Sequence, residues 1–371
     1  MALSTISCND ILRDNDITCN LPSLRFESAV DEKGSDFLPL RKKSHAIVVT
    51  QCAAVSVMID ILRKAKSLIQ DFPKPERKTP TIETQPERKT PTIETQETRK
   101  KLIVGLIGCG RLGFQLTTTL LTNGRLDTDC VQISTRRPEL LDHLKQQGVA
   151  CYFDNKKLVA VADVIVLCVL PSQVASVAAE VSGQIPASSI LISLCAGLPA
   201  RRLRQLLETS NIICPNFEWS DVVDSRSFKW AGQGSVSHSL DDQQTVLRTC
   251  PYAVAAEGAL LRSNEKLMEV LILSVVNICL QVDLSTSETL SVVSQAVFGE
   301  SQPMLTARDF GLWESRKNIA RNFSSYDLVD GVETPVLKLL KDNQSLQTRF
   351  SARYWQLFSD YIHKRNFLHL R

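Results

Sequence analysis

Two kinds of spacing divide this chain. Between residues 101 and 220, short apolar runs alternate with segments spaced for amphipathic helices; beyond 220 only the helical spacing persists. Leu102 to Gly108 (LIVGLIG) is an unbroken apolar run of the kind a central parallel strand shows when both faces are buried. Arg111 to Leu121 follows with Leu112, Leu116 and Leu120 on one face, which predicts a helix, and Asn123-Gly124 supplies a left-handed stop. The spacing next predicts a strand over Val131 to Ser134 and a helix over Pro138 to Gln147, with proline in its first turn and Gly148 beyond its end. Further strands are expected at Val164 to Val169, Ile190 to Leu194 and Ile212 to Cys214, separated by helices at Gln173 to Val181 and Ala200 to Leu207. Such alternation specifies an α/β fold, a Rossmann-type doubly wound and mainly parallel sheet with right-handed crossovers.

After Asn216 the strand signals fade. Helical spacing over Glu265 to Val282, Thr286 to Val297 and Thr348 to His363 predicts a mainly α-helical C-terminal domain over 221–371. Leu267 to Leu280 is apolar nearly all round, as a helix buried in a bundle or in a homodimer interface would be; the spacing admits both. On the other side, residues 1–74 read as an N-terminal extension with an amphipathic helix. Its apolar stretch, Ala46 to Leu62, contains Gln51 and Asp60, falls short of the ~20 residues of a membrane span and runs into Arg63, Lys64 and Lys66. A helix covering the fold is therefore expected, and no membrane. Pro75 to Gln85 (PERKTPTIETQ) is repeated letter for letter at Pro86 to Gln96; with so little to bury, residues 75–100 read as a flexible linker. The folded dinucleotide-type domain then spans 101–220.

Composition narrows the partners. A formal net charge of +3, with 43% apolar and 22% charged residues, gives no reason to expect nucleic acid or an anionic membrane. The 11 cysteines are scattered singly and the 5 histidines lack ligand spacing, so reduced, buried thiols and no metal are expected. Asp10, Asp14 and Asp16 stand where a secretory signal would be basic, and the expected location is cytoplasmic.

The chemistry lies in Gly108-Cys109-Gly110-Arg111-Leu112-Gly113, a GxGxxG between a buried strand and a helix. Gly108 allows the sharp turn, Gly110 lets the backbone approach a pyrophosphate, and Gly113 lets helix and strand pack closely. The helix then directs its free N–H groups and positive dipole end at the phosphates. At the end of the second strand, where an NAD site would carry an acidic residue for the ribose, stand Ser134, Thr135, Arg136 and Arg137. Hydroxyls and guanidinium groups suit a 2′-phosphate, so NADP is the expected cofactor. Cys109 reads as a small filler beside the pyrophosphate. Val169-Leu170-Pro171 and Ala196-Gly197 close the next two strands at the carboxyl edge, where open α/β sheets bind ligands.

Over residues 102–218 these segments (GLIGCGRLG, STRRPE, QQGV, ADVIVLCVLP, LISLCAGL and CPN) resemble the pyrroline-5-carboxylate reductase family. The resemblance implies that Ile107 to Leu112 surround the pyrophosphate and that Thr135 and its neighbours meet the 2′-phosphate. It also implies Asn155 near the adenosine, Cys168 to Pro171 and Leu194 to Ala196, including Cys195, along the nicotinamide half, and Asn216 near the active site. The chain departs from the family at Leu170, where lysine is usual, and at Phe217-Glu218. It also lacks the SGSGPA and SPGGTT segments that hold the imino acid; Ser301 to Thr306 is the nearest stretch.

The expected function is therefore NADPH-dependent reduction of an imine or carbonyl on an unknown small molecule. Asn216, Thr306 and Ser193 are candidate orienting groups, and no acid or base is identified. The alternative is a pseudoenzyme that binds NADP(H) as a sensor or scaffold. A flavin or nucleotide-sugar enzyme on the same fold is disfavoured by the hydroxyl and arginine cluster.

Overall fold

A computed structural model of the protein describes residues 38–72, 101–220, 235–252, 259–310 and 333–368; the eleven-residue repeat lies outside them. Six parallel strands form the sheet: β1 (Val104–Ile107), β2 (Val131–Ser134), β3 (Ala150–Tyr152), β4 (Val164–Leu167), β5 (Ile190–Ser193) and β6 (Ile212–Ile213). Their order is β3-β2-β1-β4-β5-β6, with Val104 opposite both Val131 and Val164. β1, β4 and β5 are buried at every position, which is why they appear as unbroken apolar runs.

Helices cover both faces. α4 (Asn155–Val161), α5 (Val174–Val181) and α6 (Ala200–Leu207) pack over Ile107, Ile165, Leu167 and Leu191 to make one core. α2 (Arg111–Thr122) and α3 (Asp142–Gln146) lie over Leu106, Ile133 and Val166, and this second core continues into the helical half. That half comprises α7 (Val236–Asp241), α8 (Gln243–Thr249), α9 (Lys266–Gln281), α10 (Thr286–Val293), α11 (Pro335–Asp342) and α12 (Gln344–Leu368). A two-stranded antiparallel pair, β7 (Phe217–Trp219) and β8 (Leu261–Ser263), joins the halves.

The largest departure from the sequence reading is at the N-terminus. Residues 38–70 form α1 (Leu38–Gln70), a single helix about 50 Å long at 1.5 Å per residue. It is no amphipathic cover: every residue from Cys52 to Leu62 is buried, Ser56 and Asp60 included. By length and composition α1 could cross a membrane, but 78% of its most apolar window is buried inside the protein. The physical reason is charge neutralisation. Asp60 accepts from Arg63 Nη2 and from Arg353 Nη2, each at 2.5 Å, so a carboxylate that looked like a solvent marker is satisfied within the core. Arg353, on α12, also donates to the Ala296 carbonyl at 3.3 Å. The helix packs against α2, α7, α8, α9 and α12, so residues 38–70 are an integral element rather than an extension.

α1 runs parallel to α2. His45 lies near Arg111 at the head of α2, Cys52 reaches Thr119, and Arg63 Nη1 donates to the Arg125 carbonyl at 3.0 Å just past the end of α2. Near its C-terminus Lys66 donates to the Lys101 carbonyl and to Asp163, at 3.1 and 2.8 Å, on the amino edge of the sheet. The first turns of α1 therefore project past the carboxyl edge. α9 is covered by α1, α10 and α11 of the same chain, so of the two settings its sequence admits, a bundle core is already supplied by one chain.

Candidate cofactor site

The turn between β1 and α2 shows what each glycine does. Gly108 has φ +92° and donates its N–H to the Ser134 carbonyl at 2.8 Å; a Cβ there would meet Val169 Cγ1 at 2.7 Å. A Cβ on Gly113 would stand 2.4 Å from the Gly108 carbonyl oxygen, so this glycine seats the helix on the strand. Around Gly110 nothing lies within 4 Å of an added Cβ, which leaves the backbone open to an incoming group. Gly110 also caps α2 with no side-chain bond, so the first-turn N–H groups remain available for phosphate oxygens.

The other expected segments gather at the same carboxyl edge, where the strand order reverses between β1 and β4. Arg136 and Arg137 are exposed and neither has an ion pair among the described residues, leaving both guanidinium groups for an anion. Thr135 is partly exposed beside them and is fixed by its N–H to the Tyr152 carbonyl at 2.9 Å. Ser134 plays a different part: it is buried, and its hydroxyl accepts from Asp154 N at 3.1 Å, tying β2 to the cap of α4. Ile107 is 2% exposed and packs into the core, so only its backbone faces the loop. Leu112 is partly buried against the core, and exposed Arg111 opens α2. Asn155 is buried in the first turn of α4, its amide donating to Glu180 Oε2 at 2.8 Å.

On the loops after β4 and β5, where the resemblance expects the nicotinamide half, Cys195 donates its thiol to the Val169 carbonyl at 3.1 Å and so joins the two loops. Pro171 and Ala196 are exposed on those loops. The thiols are not poised nucleophiles. Burial pushes Cys109 up to about 12, with a smaller contribution from nearby Cys151, and this outweighs the stabilisation a helix N-terminus offers a thiolate. Burial likewise raises Cys168, Cys195 and Cys214. Cys109 is thus a small neutral filler of the loop.

The three orienting candidates separate. Ser193 is buried, its oxygen accepting from Cys195 N at 3.4 Å. Thr306 lies in the helical half and closes a local turn, with its N–H and hydroxyl bonded to Asp309 Oδ2 at 2.7 and 3.0 Å. Asn216 is exposed at the carboxyl edge beyond β6, held by its carbonyl to Asn264 N at 2.8 Å. Glu218, on β7, is fixed by Arg262 at 3.2 Å and Asn264 at 2.6 Å. Among the described residues the one cluster with metal-compatible spacing is Asp127, Asp129 and Cys130, and Lys101 Nζ occupies it at 3.1 and 3.0 Å from the two carboxylates.

A strand-turn-helix with an open Gly110, a sheet that reverses beside it, and paired arginines at the end of β2 define an NADP-binding domain of the oxidoreductase class. Residues 103–197 match the family model described as NADP oxidoreductase, coenzyme F420-dependent. The chain is 29% identical over 353 residues to mouse NADP-dependent oxidoreductase domain-containing protein 1, covering 91% of this chain and 92% of that one. It is 25% identical over 149 residues to zebrafish pyrroline-5-carboxylate reductase 3, covering 39% of this chain and half of the relative. Among solved structures, Plasmodium falciparum pyrroline carboxylate reductase with NADP bound aligns over 68% of this chain and 98% of its own, at 16% identity and a TM-score of 0.28. Over part of its length the chain is thus similar to pyrroline-5-carboxylate reductases, and residues 103–197 match an NADP oxidoreductase family model.

Proposed function

We propose that the protein is an NADPH-dependent reductase that delivers hydride to an imine or carbonyl carbon of a small cytosolic molecule bound between the sheet's carboxyl edge and the helical half. The observation that carries this reading is the cofactor cradle: Gly110 open to a pyrophosphate, and Arg136 and Arg137 beyond β2, exposed and without an ion pair among the described residues. The cofactor supplies the hydride, and this chain's residues orient the reacting groups and exclude water. Asn216 is the orienting group best placed for a substrate, being exposed at the edge with its backbone fixed. None of the described cysteines forms a disulfide, which suits a reducing compartment.

Calorimetric titration is expected to show NADPH bound at least about tenfold more tightly than NADH, and Arg136→Ala with Arg137→Ala is expected to abolish that difference. No binding of either nucleotide at millimolar concentration would defeat the reading. A second reading, an NADP(H)-binding sensor or scaffold, is favoured by one observation. Among the described residues, the loops after β4 and β5 carry thiols whose ionisation burial opposes, but no Asp, Glu, His, Lys or Tyr to serve as a proton donor. Tight binding with no oxidation of NADPH across a broad panel of imines and carbonyls would select it.

A further inference from the structure

The GxGxxG turn opens α2, and α1 packs alongside α2. Because α1 and α2 run parallel, with His45 near Arg111, the helix carries Arg41 one turn further out, past the carboxyl edge. The far side of this overhang is marked by Lys43, whose ammonium lies 5.7 Å from the centre of the Trp219 ring beyond β6. The basic first turns of α1 thus lie between Arg111, at the head of α2, and Trp219 on β7.

Resting on the NADP-binding reading above, we infer that Arg41 and His45 of α1, together with Arg111, form a clamp for the pyrophosphate of the bound dinucleotide. The hydrogen bonding of His45 is set up for this role. Ser239 of α7 donates its only hydroxyl proton to the Ser235 carbonyl at 3.0 Å, so at 3.0 Å from His45 Nε2 it must accept, and the ring proton sits on Nε2. Nδ1 is left to take up a second proton. In the free protein burial, then Arg41, then Arg111, hold the histidine below its usual 6.5. An anionic group placed among these cations offsets both arginines and favours the imidazolium. Binding and protonation are therefore linked: the site takes up a proton as the nucleotide binds, and affinity rises as the pH falls towards the lowered range in which the free histidine titrates. Among the described residues, the groups that face His45 include Arg41 on the same helix, Arg111 on α2 and Ser239 on α7.

The test uses the full chain, with NADP+ and adenosine 2′-monophosphate as probes, titrated between pH 5.5 and 8 in buffers of different ionisation enthalpy. The wild type is expected to take up part of a proton on binding NADP+. Because the 2′-phosphate itself titrates in this range, the informative quantity is the difference from His45→Gln, which keeps the bond to Ser239 and is expected to lose that uptake. Arg41→Ala is expected to weaken NADP+ by about tenfold, the value of one charge-assisted contact, while leaving adenosine 2′-monophosphate, which has no pyrophosphate, unchanged. If wild type binds neither probe, the NADP-binding reading itself has failed. Should it bind both, with Arg41→Ala and His45→Gln matching it in NADP+ affinity and proton uptake, α1 has no part in the site. Equal weakening of both probes would also overturn the clamp, since it would mean a general loss of positive potential.

Discussion

Asp60→Ala is expected to cost the folded protein about 3–5 kcal/mol, measured as a fall in the urea midpoint at constant slope. The carboxylate is 8% exposed and holds Arg63 and Arg353 from two different helices. Removing it leaves the Arg353 guanidinium, itself 10% exposed, buried beside the Ala296 carbonyl with no counter-charge. A buried pair of this kind costs most when one partner is lost and little when both are replaced by apolar groups. Asp60→Leu with Arg353→Met should therefore recover most of what either single change loses. If Asp60→Ala unfolds at the wild-type midpoint, α1 is not held in the core by this pair.

Gly110→Ala and Gly113→Ala are expected to separate binding from folding. At Gly113 the added methyl would stand 2.4 Å from a backbone oxygen, so α2 must move off β1. A loss of about 1–3 kcal/mol of stability is expected, with NADP affinity falling alongside it. Gly110 has φ −77°, which alanine adopts freely, and open space where the methyl would go. Its stability should change by less than about 1 kcal/mol, the difference between glycine and alanine at a helix cap. The methyl would, however, occupy the approach of the pyrophosphate and displace two charge-assisted contacts, a loss of about 100-fold in NADP affinity. Equal affinity in Gly110→Ala and wild type would mean that the nucleotide does not rest on this loop.

The central strands were legible because both their faces are buried: Val104 to Ile107 and Val164 to Leu167 can only be apolar. β3 was not, since it is a three-residue edge strand with Ala150 exposed and carries no run to detect. α4 escaped with it, although Asp154, which accepts from Lys157 N at 2.8 Å, is the kind of N-cap that marks a helix start. The pairing of β7 with β8 could not be read locally, because each strand meets a partner distant in the chain. α1 was misjudged because a charge inside an apolar run reads as a solvent face unless its counter-ion is known, and Arg353 is remote in sequence. The site divides in the same way. The glycines and Arg136-Arg137 are placed by local geometry, which their spacing in the sequence already shows. Ser134 turned inward for a reason visible only in three dimensions, its bond to Asp154, and the approach of His45 to Arg111 depends on how two helices lie side by side.

The central place of α1 bears on how the protein is made. Its residues are made well before those of α9 and α12, which help to bury it and lie far downstream. At 5–20 residues per second, roughly 15–60 s separate the synthesis of α1 from that of its final partners. Throughout that interval a stretch apolar enough to resemble a membrane span has little of its native surroundings. Until α12 has been made, the nascent chain depends on shielding from aggregation and from membrane-targeting factors, and the helix that organises the finished core is the segment most exposed to diversion before that core forms.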